Sequence, residues 1–258
     1  MTPLGRLRLA ADRLRLRRLE RRMAGPRLLR AFAERRPEAV FVEIGSNDGS
    51  QHDHLRPHIL TRGWRGVMVE PVPYVFERLR RNYGHIGRVG LENAAVADRD
   101  GELPFWHLAE ASPQERERLP VWYDALGSFS RETLLGHTGD IPDLEQRLVA
   151  TRVPTLTFDS LCRRHELDHL DLVLIDTEGH DWEVIRQIDF ERYLPTVLVY
   201  EHYHLSPADR AAARAHVVSA GYEPKEEGLD TFCLHRGAER ELRSLWSGLS
   251  PAVPGAYA

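Results

Sequence analysis

The sequence predicts an α/β fold: a mostly parallel seven-stranded sheet with an antiparallel final strand, helices on both faces and a helical extension in front. Three observations carry this reading. Apolar runs bounded by turn residues alternate with helical patterns, as in a parallel sheet wrapped by helices. Two early runs close on acids, Glu43 and Glu70, and pass at once into turn-forming residues, as strands do where they open into a ligand crevice. The last two extended runs flank Gly228 and read as an antiparallel hairpin. At 258 residues with 42% apolar content, the chain can bury one full core.

Residues 1–36 hold twelve arginines against Asp12, Glu20 and Glu34, a net of +9, so the remainder carries −13. Leu4, Leu7, Leu16, Leu19 and Met23 give this extension an apolar stripe and a solvated basic face. It is a candidate contact for a second copy of the chain or for a carrier protein. Arginine supplies 34 of the 35 basic residues, a bias that looks genomic more than functional.

The main domain is expected over 37–240. Strands are predicted at 39–44, 66–70, 88–93, 171–176 and 195–202, and helices at 52–62, 73–83, 180–188 and 206–220. Ser206 caps the last helix and Pro207 fits its first turn. The closing hairpin pairs Tyr222–Lys225 with Thr231–His235. Between the third and fourth strands, residues 94–105 read as two short strands joined by the Asp100-Gly101 turn. The stretch 108–150, too long for a plain loop, reads as a lid or binding element. Asp159 is expected to cap a helix starting near Ser160. The residues after 240 are expected to be a tail, disordered from 247 onward.

No run is long and apolar enough to span a bilayer, and no leader with a cleavage site opens the sequence, so a cytoplasmic protein without a membrane partner is expected. Cys162 and Cys233 are neither numerous nor motif-spaced and read as core thiols. The basic extension invites nucleic acid, but no aromatic-basic alternation supports a base-stacking surface, so nucleic acid is not an expected partner. His52, His54 and His58 have poor spacing for one helical metal face and read as surface or substrate-facing.

The stretch Glu43-Ile44-Gly45-Ser46-Asn47-Asp48-Gly49 leaves a buried strand through glycines that allow a tight turn and let backbone N–H groups approach a ligand. Glu70, 27 residues after Glu43, stands where a carboxylate can accept both ribose hydroxyls. A dinucleotide fold would need G-x-G-x-x-G. Here polar side chains occupy the phosphate position, and Asp48 would repel a pyrophosphate while tolerating an ammonium or a sulfonium. The expected cofactor is therefore S-adenosylmethionine, and the reversed final strand, absent from dinucleotide folds, agrees.

Five blocks now in hand resemble, in order, the FkbM family of S-adenosylmethionine-dependent methyltransferases. They are Glu43 to Gly49, Val69-Glu70-Pro71, Asn93-Ala94-Ala95-Val96-Ala97-Asp98 with Gly101, Thr155-Leu156-Thr157-Phe158-Asp159-Ser160-Leu161, and Ile175-Asp176-Thr177-Glu178-Gly179. The resemblance spans roughly 39–236 and implies a Rossmann-like class I methyltransferase fold, with hydroxyl groups of natural products or sugars as typical acceptors. It also implies roles. Gly45, Ser46, Asn47, Asp48 and Gly49 would cradle the methionine end, with Glu43 beneath the loop. Glu70 with Pro71 would hold the ribose, Asn93 and Ala94 would border the adenine, and Asp176 would face the amino group or the reaction centre. His180 and Asp181 depart from the family's usual residues, which leaves the base open.

Methyl transfer to a hydroxyl needs alignment, exclusion of water and removal of the hydroxyl proton. Two clusters at strand ends offer this: Asp176-Thr177-Glu178-Gly179-His180-Asp181 and Glu201-His202-Tyr203-His204. Asp176, Glu201 and His202 could hold magnesium or another divalent cation, as acids at the same strand ends do in catechol-type enzymes. Alternatively His180 or His202 is the base without a metal, or these histidines are structural. Ser128 and Ser130 are candidate lid contacts. The expected activity is O-methylation of a hydroxylated small molecule; an NAD-type oxidoreductase and an inactive cofactor-binding scaffold are the rival readings.

Overall fold

The computed structural model describes residues 23–50 and 53–251. The leucine stripe and most arginines of the extension, His52, and residues 252–258 lie outside them. Eleven strands occur among the described residues: β1 (Val40–Ile44), β2 (Arg65–Val69), β3 (Val89–Glu92), β4 (Ala95–Val96), β5 (Gly101–Leu108), β6 (Gly127–Ser128), β7 (Leu148–Leu156), β8 (Leu172–Ile175), β9 (Val197–Glu201), β10 (Tyr222–Glu227) and β11 (Asp230–His235). Seven form one sheet in the order β10-β11-β9-β8-β1-β2-β3. β1 pairs in parallel with β2 and β8, and β8 with β9, whereas β11 runs antiparallel to both β9 and β10.

Every residue of β1 is buried, because helices cover both faces. Val40, Val42 and Ile44 enter a core with Val173, Ile175, Leu198 and Val217, while Phe41 enters a second core with Leu28, Phe32, Trp64 and Trp246. The Pro73–Tyr83 helix matches its prediction, and the Pro207–Ser219 helix is capped by Ser206, whose hydroxyl accepts from Asp209 N–H. The strand order changes direction between β1 and β8. In open α/β sheets such a switch point is where a ligand crevice is expected, at the carboxyl edge of the strands.

Three local expectations are corrected. The two short strands around Asp100-Gly101 do not pair with each other. β7 lies between them, parallel to β4 and antiparallel to β5, and with β6 they form a second sheet in the order β4-β7-β5-β6. The cap of the Phe158–Arg164 helix is Thr157, whose hydroxyl accepts from Ser160 N–H, while Asp159 pairs with Arg163 and Arg192. Residues 240–248 are a helix, not a tail. Its Trp246 is wholly buried against the Ala24–Arg35 helix, donates from Nε1 to Glu223 O at 3.0 Å, and carries Lys225 Nζ 4.6 Å over its ring. Trp246→Ala should cost about 3–5 kcal/mol in a denaturant titration, since so large a side chain leaves a cavity the neighbours cannot fill.

The stretch 108–150, expected as a lid, packs as a small unit beside the second sheet. Leu108, Tyr123, Leu126, Leu134, Ile141 and Leu144 form its own core. Asp124, on the lid, is clamped by Arg78 of the Pro73–Tyr83 helix and by Arg116. No helix of the described residues is long and apolar enough to cross a membrane.

Candidate active site

The crevice begins at the loop after β1. Gly45 has φ +81°, and a Cβ there would lie 1.6 Å from the carbonyl oxygen of Asp176, so β1 and β8 can stay paired only if this residue is glycine. The loop then closes on itself. Gly45 N–H and Ser46 N–H donate to Val69 O, and Asn47 N–H donates to Glu70 Oε2. Asp48 N–H donates to Asn47 Oδ1, Gly49 N–H to Ser46 O, and Ser50 N–H to Asp48 Oδ1. All six amides from 45 to 50 are satisfied within the protein. The expectation that they reach out to a ligand is therefore corrected: they fix the loop's shape.

The side chains share that task. Ser46 Oγ donates to Glu43 O and accepts from Val69 N–H, and Asp48 holds the Ser50 hydroxyl as well as its amide. Gly49 O receives both Tyr83 Oη and Arg56. Glu43 lies beneath the loop, 3% exposed, and burial, then the charge of Asp53, pushes its pKa well above the carboxylate range. The buried Glu43 Oε2 has no hydrogen-bond donor among the described residues.

Glu70 directly follows β2 with 6% exposure, and burial raises its pKa to about 8 although Val72 N–H and Asn47 N–H both donate to its carboxylate. Each oxygen keeps a further lone pair. Asn93 Nδ2 donates to the carbonyls of Glu70 and Pro71, so it pins the strand ends, and Ala94 packs in the core beside them.

Asp176 follows β8 with its side chain open to the crevice and its carboxylate without a hydrogen-bond partner among the described residues. The surrounding protein mass raises its pKa well above normal, and Glu201, Glu178, Asp230 and Asp181 raise it further. Asp181 is fully buried. It accepts from Thr177 Oγ1 at 2.8 Å and from Glu201 N–H at 3.1 Å, tying the ends of β8 and β9 together.

The proposed ligand set Asp176, Glu201 and His202 does not converge. Glu201 and His202 are consecutive and their side chains take different partners. His202 Nδ1 meets Thr231 Oγ1 at 3.0 Å, and burial lowers its pKa, whereas Glu201 turns to His204 Nδ1 at 2.9 Å. His202 is thus a core histidine bonded to β11. His180 packs on Phe129 at 4.6 Å between ring centroids, and burial lowers its pKa too. Among the described residues, the histidine and acid atoms that do cluster, all within 4.8 Å of one another, belong to His137, Glu178 and His204. Burial opposes charge on His204, but Glu178 and Glu201 override it and raise the ring to about 10. Burial raises Glu201 to about 7 despite that neighbour.

The lid reaches this cluster. His137, just beyond the Arg131–Leu135 helix, brings Nε2 to 3.1 Å from His204 Nε2. Ser128 Oγ donates to Glu178 O, latching β6 onto the loop after β8, and Ser130 caps the Arg131–Leu135 helix. Glu178 and Gly179 both adopt positive φ, 52° and 96°, which lets the loop turn under the lid. His137 was not anticipated from sequence, because nothing local marks a lone histidine in a loop. His54 bonds Asp230 at 3.2 Å, and His58 stacks on Trp64.

The chain has relatives among known proteins. The chain is 28% identical over 166 residues to the 2-O-methyltransferase NoeI of Sinorhizobium fredii, an alignment that takes in 58% of this chain and 57% of that protein. Among solved structures, it resembles the FkbM methyltransferase of Methylobacillus flagellatus (TM-score 0.48, 13% identity, 76% of this chain and 44% of that one). It also resembles Aeropyrum pernix fibrillarin with bound S-adenosyl-L-methionine (TM-score 0.40, 10% identity, 76% and 66%). The model of the methyltransferase FkbM domain matches residues 43–224, and with the strand order and crevice described above, the chain belongs to the FkbM methyltransferase family.

Proposed function

We propose that the protein transfers the methyl group of S-adenosylmethionine to a hydroxyl of a small molecule, a sugar or other natural product. The observation that carries the choice of cofactor is the closed loop after β1. With all six amides satisfied internally, it offers no nest to a pyrophosphate, while Asp176, Glu178, Glu201 and Asp230 make the crevice favourable to a cation. The named activity of the 28% identical relative supports a hydroxyl acceptor.

When bound, the cofactor supplies an electrophilic methyl on a sulfonium. Glu70 would accept the ribose hydroxyls through its remaining lone pairs, Asn93 and Ala94 would border the base, and the Gly45–Gly49 loop would hold the methionine end. We assign Asp176 as the base. Its unpartnered carboxylate faces the crevice, and a raised pKa suits it to take a proton from an acceptor hydroxyl. The lid, latched through Ser128, excludes water.

Incubation with S-adenosylmethionine and a panel of sugars and hydroxylated natural products should yield S-adenosylhomocysteine with a methylated acceptor. Asp176→Asn should lower turnover by about 10²-fold or more, in line with loss of a positioned base. Uptake of NAD by calorimetry without affinity for S-adenosylhomocysteine would overturn the reading.

A further inference from the structure

We propose that His137, Glu178 and His204 form a binding site for one divalent transition-metal ion of the zinc or manganese class, bridging the lid to the carboxyl edge of the sheet. The donor set, two imidazoles and a carboxylate, is that of a borderline-soft cation more than of magnesium or calcium. The geometry fits. Two nitrogens each about 2.0–2.1 Å from an ion at a near-tetrahedral angle lie roughly 3.3 Å apart, and the two Nε2 atoms stand at 3.1 Å. One ligand atom from each of the three residues lies within 4.8 Å of the others, before any ion draws them in.

Two further observations point to a ligand. Glu178 Oε2 is buried without a hydrogen bond: His204 Nδ1 stands 3.0 Å away, but outside hydrogen-bond geometry, its bond going to Glu201. Glu178 Oε2 thus has an ion-pair contact but an unfilled lone pair, which an ion drawn between the three residues would take. The second observation is the Glu201–His204 bond itself. A carboxylate on Nδ1 holds that nitrogen's proton and turns Nε2 towards His137, so that Nε2 is the nitrogen an ion would take by displacing its proton, and a metal-ligating histidine is ordinarily oriented in this way. Glu201 is thus an orienting residue, and its earlier assignment as a direct ligand gives way to this one.

Three protein ligands leave a coordination position open. Its use rests on the methyl-transfer reading: an acceptor hydroxyl bound there would lose its proton more easily, with Asp176 near to receive it. Metal binding itself does not depend on that reading, so the two fail separately.

The test is calorimetric titration of the metal-free full chain with zinc chloride, manganese chloride and magnesium chloride, without cofactor or acceptor. One equivalent of zinc or manganese should bind, and magnesium much more weakly. His137→Ala and His204→Ala should each weaken zinc binding by about 100-fold or more, and Glu178→Gln by less, whereas the exposed His169→Ala should leave it unchanged. Circular dichroism on each variant separates loss of a ligand from loss of the fold. If His204→Ala unfolds, His137→Ala, on the lid, decides. Absence of zinc and manganese binding, or binding that both histidine variants retain, would overturn the site and leave a hydrogen-bonded histidine pair. Metal binding with no methyl transfer would instead sustain the site and count against the activity.

Discussion

Gly45→Ala is expected to abolish cofactor binding and to destabilise the fold by about 3 kcal/mol or more. The new methyl would fall 1.6 Å from the Asp176 carbonyl oxygen and 2.7 Å from its carbonyl carbon, and both are backbone atoms of the paired strand. A flexible side chain could swing away; this neighbour can yield only if β1 and β8 part at their carboxyl ends. The φ of +81° adds a conformational cost for any residue with a Cβ. Parting the strands would displace Asp176 and break the bonds from Gly45 and Ser46 to Val69, which shape the loop. Thermal melts and calorimetry with S-adenosylhomocysteine check both halves. Gly87→Ala, where an added Cβ meets nothing within 4 Å, is the control. A Gly45→Ala protein with wild-type melting and affinity would show that the crevice is not built on this contact.

The parts legible in the sequence are those whose signal is local. β1, β2, β8 and β9 are buried on both faces, so they read as unbroken apolar runs. Gly45, Glu43 and Glu70 sit at strand ends, where a change from apolar to turn-forming residues marks the carboxyl edge. β7 escaped because its burial is uneven, with Ala150, Arg152 and Pro154 exposed among Val153 and Leu156, and because its partners lie some fifty residues earlier. The Arg240–Gly248 helix did leave a trace: Leu242, Trp246 and Leu249 recur at helical spacing, and all three are buried. The preceding Gly and the Pro- and Gly-rich residues beyond 250 masked it.

The site divides along the same line. That Glu201 and His202 take different partners follows from strand alternation, yet which of them faces the crevice depends on Thr231 of β11, 29 residues beyond His202. His137 meets His204 across 67 residues through a lid whose course no local pattern fixes. The closed amides of the Gly45–Gly49 loop are similarly hidden, since Asn47 is satisfied by Glu70 from the neighbouring strand. Residue types at a strand end reveal that a site exists; the chemistry depends on contacts between distant segments.

Glu70→Gln should separate stability from binding. In the wild type, burial raises Glu70 from an ordinary 4.5 to about 8. Between those values the folded chain holds a proton that the unfolded chain has lost, so stability falls as pH rises through that window and the loss is complete above about 8. Glutamine does not titrate, so wild-type stability should decline relative to the variant between pH 5 and pH 8.5, by on the order of 3 kcal/mol. At pH 5 the variant should be the weaker by about 1–3 kcal/mol. Its amide group can accept from only one of Val72 N–H and Asn47 N–H, and its own NH₂ would face the other. The two stability curves should therefore converge or cross with rising pH. Binding behaves oppositely. The ionised carboxylate is the stronger acceptor for ribose hydroxyls, so wild-type affinity for S-adenosylhomocysteine should climb towards pH 8, and the variant should bind about 10–100-fold more weakly there. Urea titrations at the two pH values and calorimetry at pH 8 measure both. Parallel stability curves would place the Glu70 proton elsewhere, and unchanged affinity would remove Glu70 from the ribose.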